Sequence, residues 1–447
     1  MKQLGLGSMM FASAMLLVGC GSDDDGSSAI NRAAATQATA SLRALHLSPD
    51  APAVNIAVNE TVALENVSYR QASGFLTVNA GSTDIDVLVA ANGATAIDAT
   101  VTLTADTKYT VIAVNEVVSI EPLVLTDTDT PTAGFAQLTV VHGAPAAPAV
   151  DIYVSAPDAD FSDLSPLLEG VAFKDASDEL EVEAGDYRVR VTAAGSSDVI
   201  YDSGAFSLAD GVEYIVVASQ VSEGLSPIGL TVLTDLEGTP VVTIDDARAR
   251  VRVVHASADA PAVDVTVDDA EVLADVTFKD ASDYLELLGD TYSVEVLQAN
   301  SASAVISADL TLDPRTDYTV IALNSVANIE ALVLADDNTA PADGAVKVRL
   351  VHGAQQAGTV DIYIVEPGAD ISDAEPTVSG FEFKDDTGYL EVPADDYQVL
   401  ITVGNTKQVA IDTGTLSLAA GVVRTAIAVD PEASEADFGV VLLQDLN

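Results

Sequence analysis

The four histidines of the sequence, His46, His142, His255 and His352, each close a short apolar run: LRALH, LTVVH, VRVVH and VRLVH. Successive histidines are 96, 113 and 97 residues apart. Eight positions after each one stands a valine (Val54, Val150, Val263, Val360), followed by Asn55, Asp151, Asp264 or Asp361. A second marker, YRQAS, FKDAS, FKDAS and FKDDT, begins at Tyr69, Phe173, Phe278 and Phe383. A third is the run that opens on Tyr109, Tyr214 and Tyr318, with Arg424 in the tyrosine slot of the fourth copy. Self-similarity at this period is the signature of whole domains in tandem.

The copies alternate. The histidine-to-aromatic spacing is 23, 31, 23 and 31 residues, because the even copies carry the insertions SAPDADFSDLSP and VEPGADISDAEP. His46 to His255 is 209 residues and His142 to His352 is 210, the mark of a duplicated two-domain unit. Boundaries fall near 41, 134, 247 and 343, giving copies at 41–133, 134–246, 247–342 and 343–447. Within a copy, short alternating runs such as VDIYV and DYRVRVT are broken by Gly, Asn, Asp and Pro every eight to twelve residues, the spacing of strands and turns. The expectation is an all-β chain of four tandem antiparallel β-sandwiches, immunoglobulin-like in architecture. The short links DTDTPTAG and DDNTAPADG bring neighbours into contact, as an elongated rod.

The first twenty residues, MKQLGLGSMMFASAMLLVGC, have the layout of an export leader: a lysine and then an apolar stretch too short for a comfortable span. Its end, Leu17-Val18-Gly19-Cys20, resembles the bacterial lipoprotein signal. That resemblance implies a leader at 1–19 and lipid attachment at Cys20, the one cysteine of the chain. Gly21, rather than Asp, follows the cysteine, which by the same resemblance points to the outer membrane. Residues 20–40 are small and polar, the composition of a flexible tether. One cysteine also excludes internal disulfides and cysteine-based metal clusters. Asp plus Glu number 69 against 18 Lys plus Arg, a net charge of -51. Such a charge repels nucleic acid and suits a solvated, exposed protein.

VRVVHASADAPAVDVTVD, FKDASDYLEL, DYRVRVT and FSLADGVEYIVVAS resemble domain-of-unknown-function family 4397 of exported bacterial proteins, in four copies over residues 41–447. Copy one departs with YRQAS, and copy four with GAQQAGTVD and Arg424. The family implies an exported β domain and brings no activity with it.

In each first strand the histidine continues an apolar stripe, as His255 continues Val251 and Val253, so His46, His142, His255 and His352 are expected to be structural and bonded to the following turn. Asp50 and Asp259 suit that turn, and their replacement by Ala146 and Gln356 argues against catalysis there. Arg70, Lys174, Lys279 and Lys384 occupy one position of the repeat and are expected in strand-end ion pairs. Asp158, Asp160, Asp163, Asp370 and Asp373 in the even-copy insertions are the residues that could hold Ca²⁺, although their spacing matches no EF-hand. No G-x-S-x-G, H-E-x-x-H, P-loop or dinucleotide fingerprint occurs. The expectation is a non-catalytic cell-envelope protein, held to the membrane by an N-terminal lipid and needing no cofactor, with a structural, adhesive or interaction role toward a protein or polysaccharide at the cell surface. The alternatives are a ligand- or Ca²⁺-binding envelope module and, more remotely, an envelope hydrolase.

Overall fold

A computed structural model describes residues 37–445 apart from 128, 129, 223, 237 and 433–436. The leader 1–19, Cys20 and most of the segment 20–40 lie outside the described residues. The chain is all-β, a series of tandem β-sandwiches. The first is built from β1 (Thr39–Leu47), β2 (Val54–Val58), β3 (Thr61–Val67), β4 (Leu76–Asn79), β5 (Gly81–Val89), β6 (Thr95–Leu103), β7 (Lys108–Val114) and β8 (Glu121–Asp127). One sheet has the order β4-β1-β7-β8 and the other β3-β2-β5-β6. Thr39 and Ala40 already pair with Asn79 and Val78, so the sheet starts two residues inside the segment expected as tether.

The same two strand orders recur three more times, and the second sandwich adds Val241–Ile244 as a fifth strand of its first sheet. Pairing is antiparallel with one exception per sandwich. β1 and β7 run parallel, from Ser41 opposite Lys108 to Leu47 opposite Val114, and so do their counterparts. Parallel neighbours need a long crossover; here the intervening strands supply it, mostly by building the opposite sheet.

Burial explains why β1 and β7 read as nearly unbroken apolar runs. Their inner residues, among them Leu42, Ala44, Tyr109 and Val111, fill the sandwich core with Val54, Ile56, Ile85 and Val87. Their outer residues are covered by the next sandwich: Leu45, Leu47, Ile112 and Val114 pack on Val141, Ile215, Val217 and Leu233. Val254, Ile321 and Leu323 pack in the same way on Val351, Ile427, Val429, Val441 and Leu443. Contact within each pair is therefore face to face, not the end-to-end contact of a simple rod. The second and third sandwiches are joined at their link: the Ala247 N–H donates to Asp202 O at 2.8 Å, and the Arg248 guanidinium donates to Val199 O and Ile200 O at 2.8 and 2.9 Å.

Candidate functional site

The four histidines occupy one environment. His46 and His255 are 0% exposed, His142 1% and His352 2%. Each Nε2 faces a turn carbonyl six residues on: Pro52 O at 3.2 Å, Pro148 O at 2.9 Å, Pro261 O at 3.1 Å and Gly358 O at 2.7 Å. In the first three sandwiches Nδ1 accepts a backbone N–H, from Ser48, Ala144 or Ser257. That pattern fixes a neutral imidazole with its proton on Nε2. Burial holds the His46 pKa below the usual histidine value. The rings of Tyr69, Phe173, Phe278 and Phe383 meet the imidazoles edge to face. Both nitrogens of three rings are thus engaged, and all four rings are buried.

The basic residue of the second marker always has a positive φ, 60° at Arg70, 73° at Lys174 and Lys279, and 76° at Lys384. Its N–H donates to the histidine carbonyl at 2.8 Å in every sandwich, which holds the backbone in this costly conformation. The side chain then reaches across the pair. Lys174 meets Glu121 at 2.9 Å, Lys384 meets Glu330 at 3.0 Å and Lys279 meets Glu432 at 3.9 Å. Arg70 meets Asp245 at 2.6 Å and donates to Leu230 O. The expected ion pairs thus join one sandwich to another.

The acidic loops do not gather. Asp158, Asp160, Asp163, Asp370 and Asp373 are exposed. Asp160 accepts from the N–H and hydroxyl of Ser162, both at 2.9 Å, and Asp370 from the Ser372 N–H at 2.9 Å. These bonds hold both carboxyls below their ordinary pKa. Among the described residues no three His, Cys, Asp or Glu side chains converge as a metal site.

Charge is buried instead between the third and fourth sandwiches. Arg252 pairs with Asp445, and Arg349 with Asp336 at 2.5 Å, each arginine donating to a carboxylate of the other sandwich. Arg252 also donates to Thr319 and Arg349 to Thr425. Tyr284 and Tyr389 lie under the two guanidinium groups at 4.8 and 4.6 Å, and their hydroxyls donate to Asp336 and Asp445. The arrangement is reciprocal. The first pair keeps half of it. Arg43 stacks on Phe75 at 4.6 Å and donates to Thr234 O at 2.9 Å, its pKa pulled down to about 10 by burial. The second sandwich has Thr139 and Glu179 in place of the arginine and the aromatic residue. A cavity of about 440 Å³ remains beside them, lined by Asp127, Gln137 and Glu213. Sequence reasoning missed this network. The signal was present, since the arginine three residues before the histidine and the aromatic residue six positions into the second marker's run occur together and are lost together.

The interior of the fourth sandwich differs from the rest. In the others, the hydroxyl of Tyr109, Tyr214 or Tyr318 accepts the N–H of Thr104, Ala209 or Asp313 at 2.9, 3.0 and 3.1 Å, the bond that defines a tyrosine corner. Leu103, Leu208 and Leu312 are buried in the same turn. Arg424 has no acceptor atom to replace that hydroxyl, and the matching Leu418 is only half-buried. Between the sheets lies a cavity of about 570 Å³, walled by residues such as Leu350, Ile362, Ile401, Ile411 and Ala426, with Arg424 at its edge. Arg424 Nη1 and His352 Nδ1 are buried and make no hydrogen bond.

A family model described as Domain of unknown function (DUF4397) matches residues 40–153 and 249–363. The chain belongs to this family. Each DUF4397 match takes one sandwich, the first strand of the next and most of its second strand, and ends just before the acidic insertion. No curated protein matches the chain. Among solved structures, it is similar to one described as alpha-glucan binding by a streptococcal virulence factor, at 15% identity over 38% of this chain and 88% of that one, TM-score 0.14. It is similar to the Bacillus anthracis TIE protein at 11% identity over 89% and 69%, TM-score 0.15. It is also similar to BcpA, the major pilin subunit of Bacillus cereus, at 12% identity over 67% and 100%, TM-score 0.11. Likeness at these scores assigns no function to a DUF4397 chain.

Proposed function

We propose that this DUF4397 protein is a non-catalytic, lipid-anchored component of the bacterial cell envelope, built from four copies of the family domain. In this role it presents paired sandwiches to a protein or polysaccharide partner from the outer membrane. The observation that carries the non-catalytic reading is the fate of the histidines. The residues best suited to acid–base chemistry are buried, and three of the four have both nitrogens bonded to the backbone. Desolvated ion pairs across the sandwich faces suit a rigid scaffold better than a hinged enzyme. The recurrent histidine–turn bond and strand order support counting 134–246 and 343–447 as diverged copies. The leader and Cys20 support the anchor, since several acyl chains hold where one does not.

The test is metabolic labelling with radioactive palmitate, followed by cell fractionation. Wild-type chain should carry label and sediment with outer membrane, whereas Cys20→Ala should be unlabelled and soluble. Membrane retention of unlabelled Cys20→Ala would remove the anchor from this proposal.

A further inference from the structure

The fourth sandwich combines an apolar cavity with an unsatisfied cation. Arg424 faces Val348 in the parallel pairing, and His352 ends the same strand as Val348, four residues on. At about 3.3 Å per residue, the strand positions of Arg424 and His352 are about 13 Å apart along the sheet. The volume of about 570 Å³ falls within the roughly 300–1,000 Å³ of small-molecule sites. The chain has 69 acidic residues, yet among the described residues Arg424 is the basic side chain with neither a hydrogen bond nor an ion pair. Leu442, 58% exposed, also lines the cavity and gives it an apolar rim.

We propose that this cavity binds one amphiphile, an acyl chain carrying an anionic head group, with the chain between the two sheets and the head on Arg424. A purely apolar ligand would leave the buried Nη1 of half-buried Arg424 without a partner. A small anion would pair the guanidinium and leave the hydrocarbon walls bare. One molecule with both parts answers both needs, and a carboxylate or phosphate can take two parallel N–H bonds from an arginine. The site exists because Arg424 replaces the corner tyrosine, which opens the turn and supplies the cation in one substitution. It is independent of the lipid at Cys20, which lies at the other end of the chain.

Calorimetric titration of the purified chain tests this with four probes. Dodecanoate should bind once per chain, about tenfold or more tighter than dodecanol, which lacks the charge. Acetate, the head without the chain, should give no heat. Dodecyl phosphate competing with dodecanoate tells a phospholipid source from a free fatty acid, and tighter binding of either keeps the proposal. Arg424→Tyr restores the residue of the other sandwiches, so it should fold and lose about tenfold or more in dodecanoate affinity. Ala426→Phe should fill the space and abolish dodecanoate and dodecanol binding together. No saturable dodecanoate binding, or equal binding by Arg424→Tyr, overturns the proposal and makes the cavity a packing fault, which Arg424→Tyr would then repair with a higher melting temperature.

Discussion

Arg349 Nη2 and Asp336 Oδ1 lie 2.5 Å apart between the third and fourth sandwiches, with 2% and 0% of their side chains exposed. Taking two charges out of water is costly, and the cost is recovered only while both are present. Arg349→Leu should therefore destabilise this pair by roughly 3 kcal/mol, because buried Asp336 loses its close cation and keeps only the hydroxyls of Tyr284 and Thr319 and the more distant Arg252, at 3.9 Å. Arg349→Met combined with Asp336→Leu should recover most of that loss. The chain has no tryptophan, so urea unfolding can be followed by the fluorescence of its tyrosines, including Tyr284 and Tyr389 beside the two arginines. A single variant that unfolds at the wild-type midpoint would show that this ion pair contributes nothing.

The first pair offers the converse experiment. Asp127 and Asp235 stand where the other pair has Asp336 and Asp445, but Thr139 stands where Arg349 would be. Thr139→Arg with Glu179→Tyr should place a stacked guanidinium in the cavity of about 440 Å³. The new cation would face carboxylates already present, so the double variant should gain about 1–3 kcal/mol. A lowered unfolding midpoint would mean that the two interfaces are not equivalent.

The strand periodicity and the burial of the histidines against the following turn were legible because they depend on local pattern. The alternation of Val251, Val253 and His255 names one inner face, and the structure fills it as expected. The pairing of sandwiches was not legible. Arg252 and Val254 share the outer face of the same strand, and only a surface distant in sequence decides whether that face meets water or protein. Here it meets the fourth sandwich, and Arg252 is 3% exposed. The parallel pairing of β1 with β7 was hidden for the same reason, since register between strands some 65 residues apart leaves no local trace. The Arg424 departure was visible, but its meaning required the tyrosine bonds of the other sandwiches.

The histidine can be tested as a fold element. His255→Ala removes the group facing Pro261 O and the acceptor of the Ser257 N–H. Orphaning buried backbone groups and vacating the ring's space should cost about 2–4 kcal/mol. Zinc and chelators should leave the wild-type melting temperature unchanged. A metal-dependent shift that vanishes in His255→Ala would instead make the ring a ligand.

Glu213 predicts a pH dependence confined to the first pair. Burial, and next the hydrogen bond with Asp127, push its pKa up to about 7 despite contact with Lys108. The folded chain thus holds a proton that the unfolded chain releases near pH 4.5. With the folded pKa above the unfolded one, stability is greatest at the acid end and declines as pH rises through about 7. One pKa unit is worth about 1.4 kcal/mol, so the loss should be about 1–3 kcal/mol. His46, whose pKa is lowered, acts in the opposite direction by losing stability as pH falls below its ordinary value. Glu213→Gln isolates the carboxyl, because the histidine contribution cancels in the difference between variant and wild type. Melting temperatures from pH 5 to 8 should fall more steeply with rising pH in wild type than in Glu213→Gln. Parallel curves would mean that Lys108 keeps Glu213 ionised throughout, and the opposite slope would mean that the ion pair outweighs burial.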